Sequence, residues 1–270
     1  MKRRHPHRRV HLLPGGQDGI GVPAIYLLPN LFTTVGLFLG FYAVIATSRD
    51  DFWTAAICIV AAHLCDGLDG RVARLTNTTS AFGVEYDSLA DLVSFGVAPA
   101  FLAYRWALIP WGNWGWLAAS MFVACGALRL ARFNVQHATA EPSRFSGLPI
   151  PAAADMVAAT VLLFFHFGGQ GAATKRVVLL AMVYGLAVLM VSQIPFQSFK
   201  RLDIRARQPL LTFAGILLVA TLLASKPEIV LFCSLAAYVA SGPLLWAVGY
   251  LRPGPTEEMP RAQSGTGGSD

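Results

Sequence analysis

The chain has few charged residues, and this scarcity limits what kind of protein it can be. Asp, Glu, Lys and Arg make up 13% of its 270 residues, against roughly 25% in soluble domains. A soluble protein of this length could not cover its surface with so few charges. Hydrophobic residues account for 55% of the chain. This excludes intrinsic disorder for the body of the chain, because disordered chains are poor in apolar residues.

Cysteine is also scarce: the chain has only Cys58, Cys65, Cys125 and Cys233. No two of them form a C-x-x-C pair, and each lies in or beside an apolar run. Zinc sites and disulfide frameworks show characteristic cysteine spacings, which are missing here. We therefore expect the four thiols to be buried small apolar side chains.

Long apolar runs follow one another along most of the chain. Each is close to the ~20 residues that a helix needs to cross ~30 Å of hydrocarbon. Backbone polar groups in lipid must bond within the segment, so these runs predict transmembrane helices. The last two runs are short and nearly adjacent, and they form either a hairpin or one re-entrant unit. The eight predicted spans lie near residues 30–48, 52–70, 86–108, 114–133, 149–168, 176–194, 209–225 and 229–250.

Lysine and arginine predict the orientation of the chain. With eight spans, 16 of the 21 basic residues fall on the side of the N-terminus and 5 on the other. Cytoplasmic loops are enriched in basic residues, so we expect both termini in the cytoplasm. The net charge of +6 is attributed to this orientation, and no nucleic-acid partner is predicted. Residues 1–28 are predicted to be a basic cytoplasmic tail and residues 252–270 a disordered tail.

Acidic residues are concentrated in one place. The chain has 15 of them, and five fall within residues 66–91, beside or inside two predicted spans. A carboxylate at membrane depth costs several kcal/mol unless a cation or water compensates its charge. Asp66 and Asp69 are three residues apart and share a helix face, and Asp87 and Asp91 are four apart on the next helix. Two helices that meet at the intervening turn would point these four carboxylates at one place.

The residue types around the acids indicate metal-assisted phosphoryl chemistry. Four carboxylates repel one another unless metal ions neutralise them, and all-oxygen ligation suits Mg²⁺, Mn²⁺ or Ca²⁺. Arg74 adds a permanent cation whose planar donor fork suits phosphate, and divalent metals polarise phosphate groups. Small residues nearby permit either close helix packing or close approach of a phosphate. These small residues are Gly67, Gly70, Ala73 and Gly83.

Two other classes of protein are less consistent with these residues. A divalent cation transporter would also use intramembrane carboxylates, but it does not explain Arg74 and the glycines at their spacing. A structural membrane scaffold needs no acid cluster. His63 and His166 lie in predicted spans, where packing or bonding between helices is expected rather than catalysis.

The acidic segment resembles a known family signature. The pattern D-x2-D-G-x2-A-R-x8-G-x3-D-x3-D, from Asp66 to Asp91, matches that of the CDP-alcohol phosphotransferase family without a gap or substitution. The resemblance implies an all-α, polytopic transmembrane bundle with a six-helix core, commonly a homodimer, here followed by about two extra C-terminal helices. Members move a phosphatidyl or similar group from a CDP-linked donor to an alcohol and release CMP. Residues 29–208 are predicted to form this membrane domain, and residues 209–251 an additional hairpin.

Further stretches resemble one branch of the family, the CDP-diacylglycerol–serine O-phosphatidyltransferases. The resemblance implies CDP-diacylglycerol and L-serine as substrates, membrane lipids as surroundings, and phosphatidylserine and CMP as products. It also implies the inner or plasma membrane of a prokaryote, with the active site facing the cytoplasm. Other family acceptors (glycerol phosphate, inositol phosphate or choline) are the nearest alternative. The stretches are LPNLFT at 28–33, DSLADLVSFGVAPA at 87–100, LRLARFN at 128–134, GLPIPAAA at 147–154 and SFKR at 198–201.

The resemblance also assigns roles by position. It implies two Mg²⁺ or Mn²⁺ ions, with Asp91 as both a ligand and the general base. The implied metal ligands are Asp66, Asp69, Asp87 and Asp91. The implied CDP-lipid contacts are Asn30, Thr33, Gly70, Arg74 and Ser80. From their position at the end of the fourth predicted span, Arg129 and Arg132 are candidates to bind the serine carboxylate, with anchoring near lipid phosphates as the alternative.

Overall fold

The computed structural model describes residues 24–76, 81–138, 147–173, 177–194, 196 and 225–251. The described part is built from helices and short connections, with no strand among these residues. It contains α1 (Ala24–Ser48), α2 (Phe52–Thr76), α3 (Ala81–Asp91), a π-helical segment (Leu92–Val97), α4 (Ala98–Ala103), a second π-helical segment (Tyr104–Leu108), a 3₁₀ turn (Ile109–Trp111), α5 (Asn113–Ala138), α6 (Ile150–His166), α7 (Val177–Val191) and α8 (Pro227–Leu251).

Five described helical stretches are long and apolar enough to cross a membrane, and α6 and α7 are shorter apolar helices. The elements from α3 to the 3₁₀ turn form one such stretch of 30 residues. The all-α, polytopic helix bundle is therefore confirmed. The five stretches are Asn30–Ser48, Phe52–Val72, Phe82–Trp111, Asn113–Gln136 and Pro227–Ala247.

Seven of the eight predicted spans correspond to these helices. Of the predicted span at 209–225, residues 209–224 lie outside the described residues. The same is true of residues 1–23 of the predicted N-terminal tail and of the whole predicted tail at 252–270. Among the cysteines, Cys58 and Cys125 are buried and Cys65 is half-buried. Cys233 is exposed on α8, so its expected burial is wrong.

Small residues bring α1 close to its neighbours. A Cβ atom added to Gly40 would lie 2.6 Å from Ser94 Cα, so α1 and the first π-helical segment approach at a distance that only glycine allows. Ser94 Oγ donates a hydrogen bond of 3.1 Å to the carbonyl oxygen of Gly36. Close helix approach through small residues is typical of membrane bundles. This contact fixes α1 beside the helix that carries Asp87 and Asp91.

The first π-helical segment begins directly after Asp91. Its backbone bonds run from residue i to i+5 in place of i+4, which shifts the helix faces relative to those of a regular α-helix. Ser94, Phe95 and Gly96 in this segment are buried. Such π-segments are frequently found at functional sites.

The start of α6 is held against the end of α7. Gly147 has a φ of 88°, and its N–H donates to the carbonyl oxygen of Ile194 at 2.9 Å. The N–H of Leu148 donates to the carbonyl oxygen of Leu189 at 3.0 Å. Pro149 caps the helix and Pro151 lies in its first turn, where the missing N–H has no cost. These contacts fix the position of α6, whose side chains reach α2.

Candidate active site

Three aspartates from two helices converge in the structure. Asp66 and Asp69 of α2 and Asp87 of α3 each place a carboxylate oxygen within 4.8 Å of the others. Asp69 is 6% exposed, and the other two are half-buried. The i, i+3 spacing on α2 puts its two carboxylates on one face, and α3 returns past that face after the intervening turn. The arrangement concentrates negative charge in one small volume.

A hydroxyl from α1 completes this cluster. Thr33 is 6% exposed, and its Oγ1 donates a hydrogen bond of 2.9 Å to Asp69 Oδ2. The bond joins residues 36 positions apart. It orients Oδ2 of Asp69, and the backbone N–H of Gly70 also donates to the Asp69 carboxylate.

Asp91 lines the same cavity as these aspartates. The cavity lies between α1, α2, α3 and the first π-helical segment. Asp91 is one helical turn beyond Asp87, so the two carboxylates share a face of α3. The cavity is lined by Thr33, Gly36, Leu37, Ala62, Asp66, Asp69, Asp87, Ala90, Asp91, Ser94 and Phe95.

The glycines on α2 leave open space beside the carboxylates. A Cβ atom added to Gly67 or to Gly70 would meet no heavy atom within 4 Å among the described residues. Among the described residues, close helix packing therefore does not explain Gly67 and Gly70. Their absent side chains instead leave room next to Asp66 and Asp69 for another molecule.

The two candidate arginines on α5 differ in their surroundings. Arg129 is half-buried and interacts electrostatically with Asp91 and with Tyr238 of α8. Its Nε is buried and has no hydrogen-bond partner in the part of the chain that the structure describes. Arg132 is exposed. Of the two arginines, Arg129 is thus the half-buried one that interacts electrostatically with Asp91, whereas Arg132 is on the surface.

Of the other predicted lipid contacts, Asn30 lies on α1, and two lie wholly or partly outside the described residues. Asn30 is half-buried near the start of α1, and its carbonyl oxygen accepts a 2.6 Å bond from Thr34 Oγ1. The hydroxyls of Thr34 and Tyr86 are 3.0 Å apart, which joins α1 to α3. The backbone of Arg74 lies in the last turns of α2, but its side chain and all of Ser80 lie outside the described residues.

One pair beside the cavity was not predicted from the sequence. His63 of α2 bonds through Nδ1 to Asp155 Oδ2 of α6, and Asp155 is 4% exposed. His63 was expected to pack or bond between helices, but its partner was not identified. The available signal was that Asp155 is the single acid in its predicted span, since an intramembrane carboxylate needs a partner.

The donor set fits a hard divalent cation. Ligand atoms on opposite sides of one such ion lie about 4–5 Å apart, given bond lengths of roughly 2.0–2.6 Å. The three clustered oxygens fall within this separation, and carboxylates are the ligands that Mg²⁺, Mn²⁺ and Ca²⁺ prefer. The described site can therefore accept a metal ion without rearrangement of the helices.

Comparison with known proteins identifies the family of the chain. The family model for CDP-alcohol phosphatidyltransferase matches residues 26–192. A CDP-diacylglycerol–serine O-phosphatidyltransferase from Helicobacter pylori is 42% identical over 82% of this chain and 92% of its own length. One from Mycobacterium tuberculosis is 32% identical over 85% of this chain and 80% of its own. An archaetidylserine synthase from Methanothermobacter thermautotrophicus is 34% identical over 65% of this chain and 71% of its own.

The matched region contains the entire aspartate cavity. It runs from α1, which carries Thr33, to the end of α7, and it includes Asp66, Asp69, Asp87 and Asp91. The family match spans more than half of the chain, and the apolar helices around it make this a membrane protein. The chain is an enzyme of the CDP-alcohol phosphatidyltransferase family.

Proposed function

We propose that the enzyme transfers the phosphatidyl group of CDP-diacylglycerol to the hydroxyl of L-serine, giving phosphatidylserine and CMP. The observation that carries the proposal is the convergence of Asp66, Asp69 and Asp87 within 4.8 Å, beside a stretch of α2 that leaves room for a ligand. The choice of serine is supported by the names of the three relatives described above, which all refer to serine.

In the proposed site, Asp66, Asp69, Asp87 and Asp91 hold two Mg²⁺ or Mn²⁺ ions. When bound, these ions supply positive charge that polarises the pyrophosphate and stabilises the departing CMP. The role of the protein is to fix the carboxylates in advance, since ligands on rigid helices lose little freedom on binding. The bond from Thr33 to Asp69 contributes to this by orienting one of the carboxylates.

Asp91 is proposed as the general base. It lines the cavity one turn beyond Asp87 and accepts the proton of the serine hydroxyl as the serine oxygen bonds to phosphorus. The bond from that phosphorus to the CMP oxygen breaks at the same time, and CMP leaves with the electron pair. No Cys or His is among the cavity-lining residues that the structure describes, which favours direct transfer over a covalent intermediate.

Residues around α1 and α2 are proposed to bind the CDP-lipid. Gly70 leaves space beside Asp69, which permits a phosphate to approach the α2 backbone. Arg74, one turn beyond Gly70, is suited to bind phosphate through its guanidinium fork. The proposed CDP-lipid contacts are Asn30, Thr33, Gly70, Arg74 and Ser80.

Arg129 is proposed to bind the serine carboxylate. It interacts electrostatically with Asp91, so an acceptor bound to Arg129 would lie on the side of the site that holds the base. Its Nε is buried without a partner among the described residues, so a carboxylate there would gain a hydrogen bond without displacing one. Arg132 is exposed and is better suited to lipid headgroups.

The proposal also covers the membrane, the oligomeric state and the orientation of the enzyme. We place the enzyme in the inner or plasma membrane of a prokaryote, as a homodimer with both termini and the active site on the cytoplasmic side. Residues 29–208 form the catalytic domain and residues 209–251 an added hairpin. The excess of basic residues on the side of the N-terminus supports this orientation.

The test measures CMP release by purified protein with CDP-diacylglycerol, Mn²⁺ or Mg²⁺, and one alcohol at a time. Serine-dependent CMP release is expected. The Asp91→Asn variant should lose about 10²–10⁴-fold of the rate, as for other removed general bases. Glu85→Gln, an exposed acid on the same helix, is the matched control and should keep its rate.

Two other results would reassign the function. Release of CMP with glycerol phosphate, inositol phosphate or choline but not with serine would change the acceptor within the family. Divalent cation flux into liposomes without CMP release from any alcohol would instead favour a transporter.

A further inference from the structure

Asp155 is an acid placed deep in an apolar helix. It lies in the second turn of α6, is 4% exposed, and is surrounded along that helix by buried alanines, valines and Met156. A carboxylate in such surroundings is strongly disfavoured unless it is paired. Its Oδ2 contacts His63 Nδ1 of α2, whereas its Oδ1 is buried without a partner in the described part of the chain.

His63 connects this acid to the aspartate cavity. It lies three residues before Asp66 on α2, so the two side chains share a helix face, and they interact electrostatically. The imidazole ring also packs edge-on against Phe95, with ring centroids 5.9 Å apart and planes at 74°. Phe95 lines the aspartate cavity. His63 therefore contacts the wall of the cavity on one side and Asp155 on the other.

The contact with Asp155 limits what His63 can do. A carboxylate bonded to one imidazole nitrogen fixes the tautomer and orientation of the ring. With Nδ1 engaged, only Nε2 remains to interact with Asp66 or with a molecule beside it. The orientation of the ring then depends on α6, whose start is tied to the end of α7 by the backbone bonds of Gly147 and Leu148.

A purely stabilising role explains this pair poorly. Buried ionisable pairs are weak contributors to stability, and apolar residues of similar volume often serve as well or better. In metal sites, by contrast, partners that hydrogen-bond to ligands or orient groups next to them typically change metal affinity or activity by 10–100-fold.

We infer that Asp155, acting through His63, is a positioning residue for Asp66 in the proposed divalent-metal site. This inference rests on the proposed function, because it assumes that Asp66 is a metal ligand. Neither residue is assigned a bond to substrate or metal. Asp155 fixes the orientation of the His63 ring, and the ring in turn restricts the position of the Asp66 side chain.

The experiment measures Mn²⁺ binding to purified full-length protein in detergent by electron paramagnetic resonance of free Mn²⁺, without substrate. Asp155→Leu and His63→Gln should each weaken Mn²⁺ binding about ten-fold. Asp155→Asn retains an oxygen acceptor for His63 and should lose less. The double variant should lose about as much as either single one, because the two residues act through a single contact.

Matched controls separate positioning from general damage. His166→Gln and Glu228→Gln alter a second histidine–carboxylate pair, 3.3 Å apart, between α6 and α8. They should leave Mn²⁺ binding unchanged. Thermal unfolding of every variant is measured in parallel, and Asp155→Asn provides a folded variant if Asp155→Leu does not fold.

Several outcomes would overturn the inference. Unchanged Mn²⁺ binding in the Asp155 and His63 variants, with lowered thermal stability alone, would show a structural tie between helices. If His63→Gln weakens Mn²⁺ binding but neither Asp155 variant does, His63 acts without Asp155. Wild-type protein that binds no Mn²⁺ would instead contradict the proposed metal site itself, and the inference with it.

Discussion

Thr33 of α1 donates a hydrogen bond of 2.9 Å to the carboxylate of Asp69 on α2. Both side chains are 6% exposed, so water does not compete freely for this bond. It joins the first two helices at the level of the aspartate cluster. The contact means that α1 contributes to the site by orienting a carboxylate, in addition to any contact of Thr33 with the CDP-lipid.

Replacing Thr33 by Val tests this role. Thr33→Val keeps the shape of the side chain but removes the hydroxyl, so Asp69 loses its orienting donor. We expect the metal concentration for half-maximal CMP release to rise about ten-fold. Thr33→Ser restores the hydroxyl and should recover most of the affinity. Equal metal dependence in the Val and Ser variants would show that the bond does not orient Asp69.

Gly70 offers a test of ligand approach that does not disturb the fold. A Cβ atom at Gly70 meets nothing within 4 Å in the described part, and Ala is favoured over Gly inside a helix by about 0.5–1 kcal/mol. Gly70→Ala should therefore fold at least as stably as wild type. If the lipid phosphate approaches this position closely, the rate with CDP-diacylglycerol should fall by at least about ten-fold.

The control for this experiment lies on α7. Gly185 also has open space at its Cβ position but is not among the residues that line the aspartate cavity. Gly185→Ala should match Gly70→Ala in thermal stability and retain the wild-type rate. If both variants are fully active, the space beside Asp69 is not used by the substrate.

Gly40 tests the packing that places α1 beside Asp91. Its added Cβ would lie 2.6 Å from Ser94 Cα, and backbone cannot move away as a flexible side chain can. Gly40→Ala should lower the free energy of unfolding by about 1–3 kcal/mol, the usual cost of overpacking. Gly36→Ala places its Cβ at an ordinary 3.6 Å from the nearest atom and should be neutral. Denaturant unfolding in detergent measures both.

The helical architecture could be predicted from the sequence, because hydropathy encodes which segments lie in a membrane. The run predicted at 86–108 corresponds to the described stretch Phe82–Trp111. The two π-helical segments within it could not be predicted. They depend on how the backbone accommodates its neighbours, such as the close approach of Gly40 to Ser94, and hydropathy contains no information about that approach.

The site was predictable only where its residues are close in sequence. Helical spacing predicts that Asp66, Asp69, Asp87 and Asp91 face one point. The structure brings oxygens of the first three within 4.8 Å of one another, and Asp91 lines the same cavity. The bond between His63 and Asp155 joins residues 92 positions apart, so it depends on the packing of α2 against α6. No local pattern contains that information, although an isolated intramembrane acid signals that some partner exists.

The contrast between Arg129 and Arg132 gives the sharpest test of how serine binds. Arg129 interacts electrostatically with Asp91, and its Nε is unpartnered among the described residues, whereas Arg132 is exposed on the same helix. Arg129→Lys keeps the charge but loses the planar fork that binds a carboxylate with two hydrogen bonds. A hydrogen bond to a charged group contributes about 1.5–3 kcal/mol, so KM for serine should rise about ten- to a hundred-fold.

Arg132→Lys is the matched control, and its KM for serine should stay within about two-fold of wild type, as expected for a surface substitution. The KM for CDP-diacylglycerol should change in neither variant if Arg129 contacts only the acceptor. A rise in the KM for CDP-diacylglycerol with Arg129→Lys, without a change for serine, would move Arg129 to the lipid side of the site. The acceptor carboxylate would then need a different cation, and Arg132 would be the next candidate on α5.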